Sequence, residues 1–545
     1  MTPLLIMTLK RLLIIAFACA GLTSMAEERP KLVVGIVVDQ MRWDYLERFA
    51  DRFGEGGFRR MLTEGYSCDN TQIDYIPTVT AIGHTSIYTG SVPSIHGIAG
   101  NNFRDNGRWV YCTDDETVKP VGSTSKAGLM SPSRLLTTTV GDELHLATNF
   151  RSRVIAVALK DRAAILPGGR TADGAYWFDD ETGRFITSSY YRDELPEWLT
   201  DFNAKDRART LLANDWASLY PIETYRQSTA DNTPFEDKFD GTDAPTLPVP
   251  TSRLFKKQGY EVIRTTPYGN TLTLEAAKAA IEGEQLGRHD DTDFLAVSLS
   301  STDYIGHQYG PNAIEVEDTY LRLDRDLAAF LTYLDGQVGR GNYLLFLTAD
   351  HAAAHNPTFM RAHKMSAGGW DTKAVLTRLD SVARADFGIE QSVIERIENY
   401  QVFLDQKQIA ARHIDRQRLA AAFTAELERL PEVAYAVCQR HAASAAMPAP
   451  IRERIINGFN HQRSGEIQII LKPGYYDDNA DAPTGTQHGV WCNYDAHIPL
   501  VFMGWNVPAG RTTRPTHMTD IAATVAAMLH IQQPSGCIGN PIEME

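Results

Sequence analysis

The sequence has no excess of positive charge, no paired-cysteine zinc motif, no internal repeat and no low-complexity tail. Its 545 residues carry 53 Lys and Arg against 68 Asp and Glu, a net charge of −15. That balance offers no footprint for a nucleic-acid backbone or an anionic membrane surface. An anionic substrate would have to be held by a few local cations or by metal ions. Beyond the first residues no apolar run is long enough to span a bilayer, so no stable membrane insertion is expected. Six cysteines occur without any C-x-x-C spacing, which removes the common zinc and redox motifs. Hydrophobic content of 43% and charged content of 22% are those of an ordinary globular protein.

What is present begins with an address. Lys10 and Arg11 precede the apolar run Leu12 to Ala20, followed by the small-residue stretch Ser24-Met25-Ala26. This predicts a signal peptide over residues 1–26, cleaved after Ala26, and a periplasmic or secreted protein. Cys19 lacks the leading Leu of a lipoprotein site. Removal of the signal leaves Cys68, Cys112, Cys438, Cys492 and Cys537. An oxidising compartment permits disulfides, but an odd number leaves at least one thiol unpaired, and the connectivity is not readable.

Along the chain, short continuous apolar runs end in polar residues. Leu32 to Val38 ends at Asp39, and Val154 to Leu159 ends at Lys160. Phe294 to Leu299 leads to Asp303, and Tyr343 to Leu347 leads to Asp350-His351. Continuous rather than alternating hydrophobicity suits strands buried on both faces of a parallel sheet. Functional groups gather past the carboxyl ends of such strands. Val316, Tyr320, Leu323, Leu327, Leu331 and Leu334 mark one apolar helix face, and Met518 to Leu529 another helix, opened by Thr519-Asp520. The pattern predicts an α/β fold: a central, mostly parallel sheet flanked by helices on both faces. It fills a catalytic domain over residues 27–545, with cap-like insertions at about 200–265, rich in Asp, Thr and Pro, and at about 366–465, helical and charged with no strand-ending motif.

Three carboxylates and three imidazoles stand out: Asp39, Asp303, Asp350, His307, His351 and His488. Any one of them could be a helix cap or a surface histidine. Together they form a mixed oxygen and nitrogen set suited to zinc, with manganese or iron as alternatives, and numerous enough for two metals sharing one substrate. Thr80 opens a helix predicted to run toward Tyr88. By itself it reads as an N-cap. Beside a metal its hydroxyl becomes a nucleophile, and the helix N-terminus favours a phosphate.

Pro77-Thr78-Val79-Thr80 followed by His84 resembles the P-T-x-T-x-x-x-H nucleophile segment of nucleotide pyrophosphatase/phosphodiesterase-like members of the alkaline phosphatase superfamily. Asp39, Asp303-x-x-x-His307, Asp350-His351 and His488 fall in that superfamily's order, and the likeness runs from residue 31 to residue 540. The resemblance implies an alkaline-phosphatase-like fold with two zinc ions. Asp303, His307 and His488 would hold one; Asp39, Thr80, Asp350 and His351 would hold the other. It further implies attack by Thr80, a phosphothreonine intermediate and release of inorganic phosphate.

Asn101, in His96 to Phe103, and the pair Lys160 and Arg162 resemble the Asn and Lys-x-Arg clamp of phosphate-irrepressible, monoesterase-type alkaline phosphatases of Gram-negative bacteria. The spacing predicts Lys160 and Arg162 on an extended strand end, where alternate residues point the same way. A phosphate monoester offers three non-bridging oxygens to such a clamp, and a diester blocks one. The expected activity is therefore an alkaline phosphatase acting on small phosphate monoesters, as a monomer. The alternative is a phosphodiesterase or nucleotide pyrophosphatase of the same fold. A sulfatase is disfavoured because Met130 occupies the reactive position of Met130-Ser131-Pro132-Ser133-Arg134. A binding protein would not need Thr80. His84, His355, His363 and His497 are expected to be neighbours of the site rather than ligands.

Overall fold

The computed structural model describes residues 29–478 and 483–544, so the signal segment lies outside the described residues. Five parallel strands form the centre of the fold: β1 (Leu32–Val38), β2 (Val154–Ala158), β3 (Gly174–Asp179), β4 (Asp293–Leu299) and β5 (Tyr343–Thr348). Their order is β5-β1-β4-β2-β3. Every residue of these strands is buried. That is why their sequences are continuously apolar instead of alternating. An antiparallel strand, β6 (Leu500–Gly504), extends the sheet beyond β5. Among the described residues this sheet has ten strands.

Because the central strands are parallel, their carboxyl ends share one edge. The helices that follow them start there. α1 (Thr80–Thr89) is buried throughout and stops at Gly90, whose φ of 62° needs glycine. α2 (Asp161–Gly168) follows β2, and α3 (Ser301–Tyr309) follows β4. α4 (Ile314–Leu334) buries all six apolar positions read from its sequence, at about 1.5–3 kcal/mol for each large side chain. α5 (Asp520–Met528) is the helix opened by Thr519. Among the described residues no helix is long and apolar enough to cross a membrane.

The region 366–465 differs from the expectation of helices alone. It contributes to a four-stranded antiparallel sheet in the order Ile394–Glu398, Gln401–Leu404, Ile467–Leu471, Val433–Cys438. Helices Thr372–Phe387 and Arg416–Leu427 belong to the same unit. Leu379, Val402, Phe423 and Ile469 close a hydrophobic core separate from that of the main sheet. These strands are short, and the outer two are partly exposed; Glu395 and Arg396 face solvent beside buried Ile394. Hence no long apolar run announced them. Within 200–265, helices Glu197–Ala204, Arg207–Leu212 and Thr251–Gln258 alternate with loops. Trp216 ties the stretch to α4 by donating to Asp318 Oδ2 at 2.8 Å.

All five cysteines in the described residues are unpaired, so the disulfides that export would permit do not form there. Burial pushes the thiols of Cys68, Cys112 and Cys492 up to about 12, which leaves them inert as nucleophiles.

Candidate active site

Asp39 directly follows β1 and is fully buried. Its N–H donates to Leu299 O at 3.2 Å, and its carbonyl accepts from Thr302 Oγ1 at 2.6 Å, so the ends of β1 and β4 are locked together. Asp303 and His307 lie on α3, one turn apart on the same face. Asp350 and His351 follow β5. His488 arrives from the far side of the 366–465 unit; Val490 and Cys492, just after it, pack into that unit's core.

The three imidazoles are oriented alike. His307 Nδ1 meets Thr486 O at 2.9 Å, His351 Nδ1 meets Ala352 O at 3.1 Å, and His488 Nδ1 meets Thr78 O at 2.6 Å. A carbonyl oxygen can only accept, so each Nδ1 carries a proton, which leaves Nε2 as the atom that presents a lone pair when the ring is neutral. Those Nε2 atoms face carboxylates. His307 Nε2 is 3.2 Å and His488 Nε2 3.8 Å from Asp303 Oδ1. His351 Nε2 is 3.5 Å from Asp350 Oδ2 and 3.6 Å from Asp39 Oδ1.

Asp39 Oδ1 and His351 Nε2 are buried without a hydrogen-bond partner. Leaving such atoms unpaired is costly, and a cation is the partner this donor set fits. Two groups have all their donor atoms within 4.8 Å of one another: Asp303, His307 and His488; and Asp39, Asp303 and His351. The site therefore suits divalent metal, with Asp303 shared between the groups. Burial, then the neighbouring His351 and His307, push the His488 imidazole well down. Neutral imidazole is the form that ligates.

Thr80 is not the cap of α1. Val79 holds that position, in extended conformation, and Thr80 is the first helical residue, 1% exposed. Lys160 Nζ lies 3.5 Å from Thr80 Oγ1, 2.7 Å from Asp39 Oδ2 and 2.6 Å from Asp303 Oδ2. Burial opposes its charge, but Asp303 and Asp39 outweigh burial and hold the ammonium protonated. Burial likewise pushes the Asp303 carboxyl up, yet Lys160 and His307 carry it well below the usual range. Asn101 Oδ1 accepts from Ala81 N at 3.0 Å, which turns its amide NH2 away from α1 as a free donor.

Lys160 and Arg162 are not on an extended strand end. β2 stops at Ala158; Lys160 caps α2 and Arg162 lies in its first turn. Both nevertheless line one cavity of about 550 Å³, with Tyr111, Trp177, Arg264 and Tyr304. Arg162 Nη1 donates to Tyr111 Oη at 2.9 Å, and Tyr111 donates to Asp161 Oδ1 at 2.7 Å. Lys160 Nζ lies 5.0 Å from the centre of the Tyr304 ring.

All the residues singled out in the sequence thus gather at one edge of the sheet. Several partners were not singled out. His84, regarded only as a neighbour, joins Thr80 O at 2.9 Å, Asp350 Oδ2 at 3.2 Å and Ser298 Oγ at 2.8 Å; its place in the nucleophile segment was the available signal. Tyr111, Tyr304 and Gln40 carry no pattern that marks them. His355 binds Asn312 Oδ1 and Arg42, and His497 stacks on Trp43, so neither is a ligand. His363 is exposed.

A parallel α/β sheet with carboxylates and imidazoles at its strand ends, and a hydroxyl on the first turn of a buried helix, defines a metal-dependent hydrolase of esters. The chain belongs to the type I phosphodiesterase / nucleotide pyrophosphatase family, whose profile matches residues 33–491. It is 53% identical over 520 residues to alkaline phosphatase PafA of Elizabethkingia meningoseptica, covering 95% of this chain and 94% of that one. It is 52% identical over 531 residues to a protein of Myroides odoratus named calcium-transporting ATPase, covering 97% and 96%. The crystal structure of wild-type PafA superposes with a TM-score of 0.92 at 53% identity, covering 95% of this chain and 99% of that one.

Proposed function

We propose that this protein is an exported alkaline phosphatase that hydrolyses small phosphate monoesters through a phosphothreonine intermediate on Thr80. The observation that carries the reading is the Thr80 hydroxyl, on the first turn of α1, beside Lys160, whose ammonium also meets Asp39 and Asp303 of the two candidate ligand groups. High identity to PafA supports the same activity.

In this reading Asp303, His307 and His488 would hold one zinc ion, and Asp39, Thr80, Asp350 and His351 would hold the other. Bound zinc supplies Lewis acidity, favouring the ionised Thr80 hydroxyl and the charge that develops on the leaving oxygen. The chain's own groups do the rest. The backbone amides of α1 face the phosphate. Arg162, Lys160 and the Asn101 amide hold its non-bridging oxygens, and Tyr111 keeps the Arg162 fork in place. Thr80 Oγ1 forms a bond to phosphorus as the ester P–O bond breaks, and the alcohol leaves. Water then attacks the same phosphorus, the Thr80 O–P bond breaks, and inorganic phosphate departs. The transition state is loose, so positioning and charge provide most of the acceleration.

Every ligand comes from one chain, which fits a monomer. The net charge of −15 argues against nucleic acid as a partner, and the N-terminal pattern argues for the periplasm or medium of a Gram-negative bacterium. ATP ends in a phosphate with three free oxygens, so the site should accept it as it accepts a monoester. The test compares nitrophenyl phosphate, bis(nitrophenyl) phosphate and ATP on protein of measured metal content. Monoester preference, with two zinc ions per chain and loss of turnover on chelation, is expected. Strong diester preference would instead establish the phosphodiesterase alternative.

A further inference from the structure

Gln40 follows Asp39, is 3% exposed, and has a left-handed backbone with φ 64°. A side chain other than glycine, asparagine or aspartate is uncommon in that region, and surrounding contacts must hold it there. Two contacts do so. The Gln40 N–H donates to Asp350 Oδ1 at 3.2 Å, and Nε2 donates to Asp303 Oδ1 at 2.7 Å. Asp350 stands with Asp39 and His351, whereas Asp303 Oδ1 faces His307 and His488. The two ends of one residue thus grip carboxylates of both ligand groups.

The neighbouring helix is shaped to admit this amide. Gly306 lies between Asp303 and His307 on α3, and a Cβ there would collide with Gln40 Oε1. Gln40 therefore passes across the face of α3 that carries the ligands, at the position where that helix has no side chain. The left-handed turn aims its N–H at one carboxylate and its side chain at the other.

We infer that Gln40 is a positioning residue that fixes the spacing of the two ligand groups and the retention of metal in them, acting through Asp303 and without touching substrate. The inference rests on the proposed two-metal reading. Gln40→Asn isolates the effect. Asparagine accepts the left-handed backbone more readily than glutamine and keeps the N–H to Asp350, but it is one methylene too short to reach Asp303.

The experiment loads wild type and variant with zinc, counts bound metal by elemental analysis, and follows its release to a chromogenic chelator. Losing an outer partner of a ligand weakens retention about 10- to 100-fold, so Gln40→Asn should release zinc faster by about that factor. kcat should fall more than KM changes, with no loss of thermal stability in the zinc-loaded protein. Gly306→Ala should accelerate release in the wild type and add little to Gln40→Asn, because both displace the same amide. Unchanged release from Gln40→Asn, or independent effects of the two substitutions, overturns the role of Gln40 alone. A wild type that holds no zinc overturns the two-metal reading and this inference with it.

Discussion

Arg162→Ala gives the sharpest test of monoester preference. The guanidinium is anchored by Tyr111, and Tyr111 keeps its own bond to Asp161 when Arg162 is removed. The Lys160 bridge to Asp39 and Asp303 is also left intact. The substitution therefore removes a donor fork without dismantling the ligand set. A charge-assisted hydrogen bond contributes about 1.5–3 kcal/mol, so losing the fork should cost roughly 3 kcal/mol, or about 100-fold. Adding Lys160→Ala should bring the loss to between about 1000- and 10000-fold, at 1.4 kcal/mol per factor of ten. The assay is kcat/KM for nitrophenyl phosphate and for bis(nitrophenyl) phosphate on zinc-loaded protein. A diester presents one oxygen fewer to the fork and should lose far less. An equal fall for both substrates would refute the clamp, because it would mean that Arg162 supports the site rather than the dianion.

Thr80→Ala should lower kcat by about 1000-fold or more, while Thr80→Ser, which keeps the hydroxyl, should remain within about tenfold; phosphate release on nitrophenyl phosphate measures both. Gly83→Ala places a Cβ against the backbone and Cβ of Asp350, and such overpacking costs about 1–3 kcal/mol; a lower Tm together with faster zinc release is expected. Burial pushes the Glu236 carboxyl from the ordinary 4.5 to about 7, with nearby Asp231 adding to it, and buried Glu315 is raised partly by Glu236. Protonated Glu236 therefore contributes stability that is complete below pH 4.5 and lost as pH rises through about 7. Glu236→Gln should stabilise the protein at alkaline pH by about 3 kcal/mol and leave it unchanged in acid, read as Tm across a pH series.

Much of this organisation is legible in the sequence because burial on both faces leaves a plain mark. β1, β2, β4 and β5 read as continuous apolar runs, and α4 as a stripe along one face. The candidate ligands come together because parallel strands deliver their successors to one edge. The strands Ile394–Glu398, Gln401–Leu404, Val433–Cys438 and Ile467–Leu471 left no such mark, being only four to six residues long, the first of them interrupted by charge. Lys160 and Arg162 were recognised by spacing but placed on the wrong element: Asp161, an acidic residue in the first turn of α2, was the sign that a helix had already begun. Gln40 could not be found from composition or period, since its importance lies in a backbone angle and in the glycine opposite it.

The groups proposed to choose the substrate come from other elements than those proposed to hold the metal, and Lys160 joins the two through Asp39 and Asp303. Asp39, Asp303 and Asp350 follow the buried central strands, whose replacement would unmake the core. Lys160 and Arg162 occupy the first turn of one helix, and Asn101 the approach to a small hairpin, Asn102–Asp105 with Arg108–Tyr111. Substitutions at the partly exposed Arg162 and Asn101 could therefore redirect the catalyst while the sheet remained under its own selection, whereas Lys160 is buried and tied to both sets. A lineage with this layout can diversify its chemistry by editing the rim and inheriting the foundation.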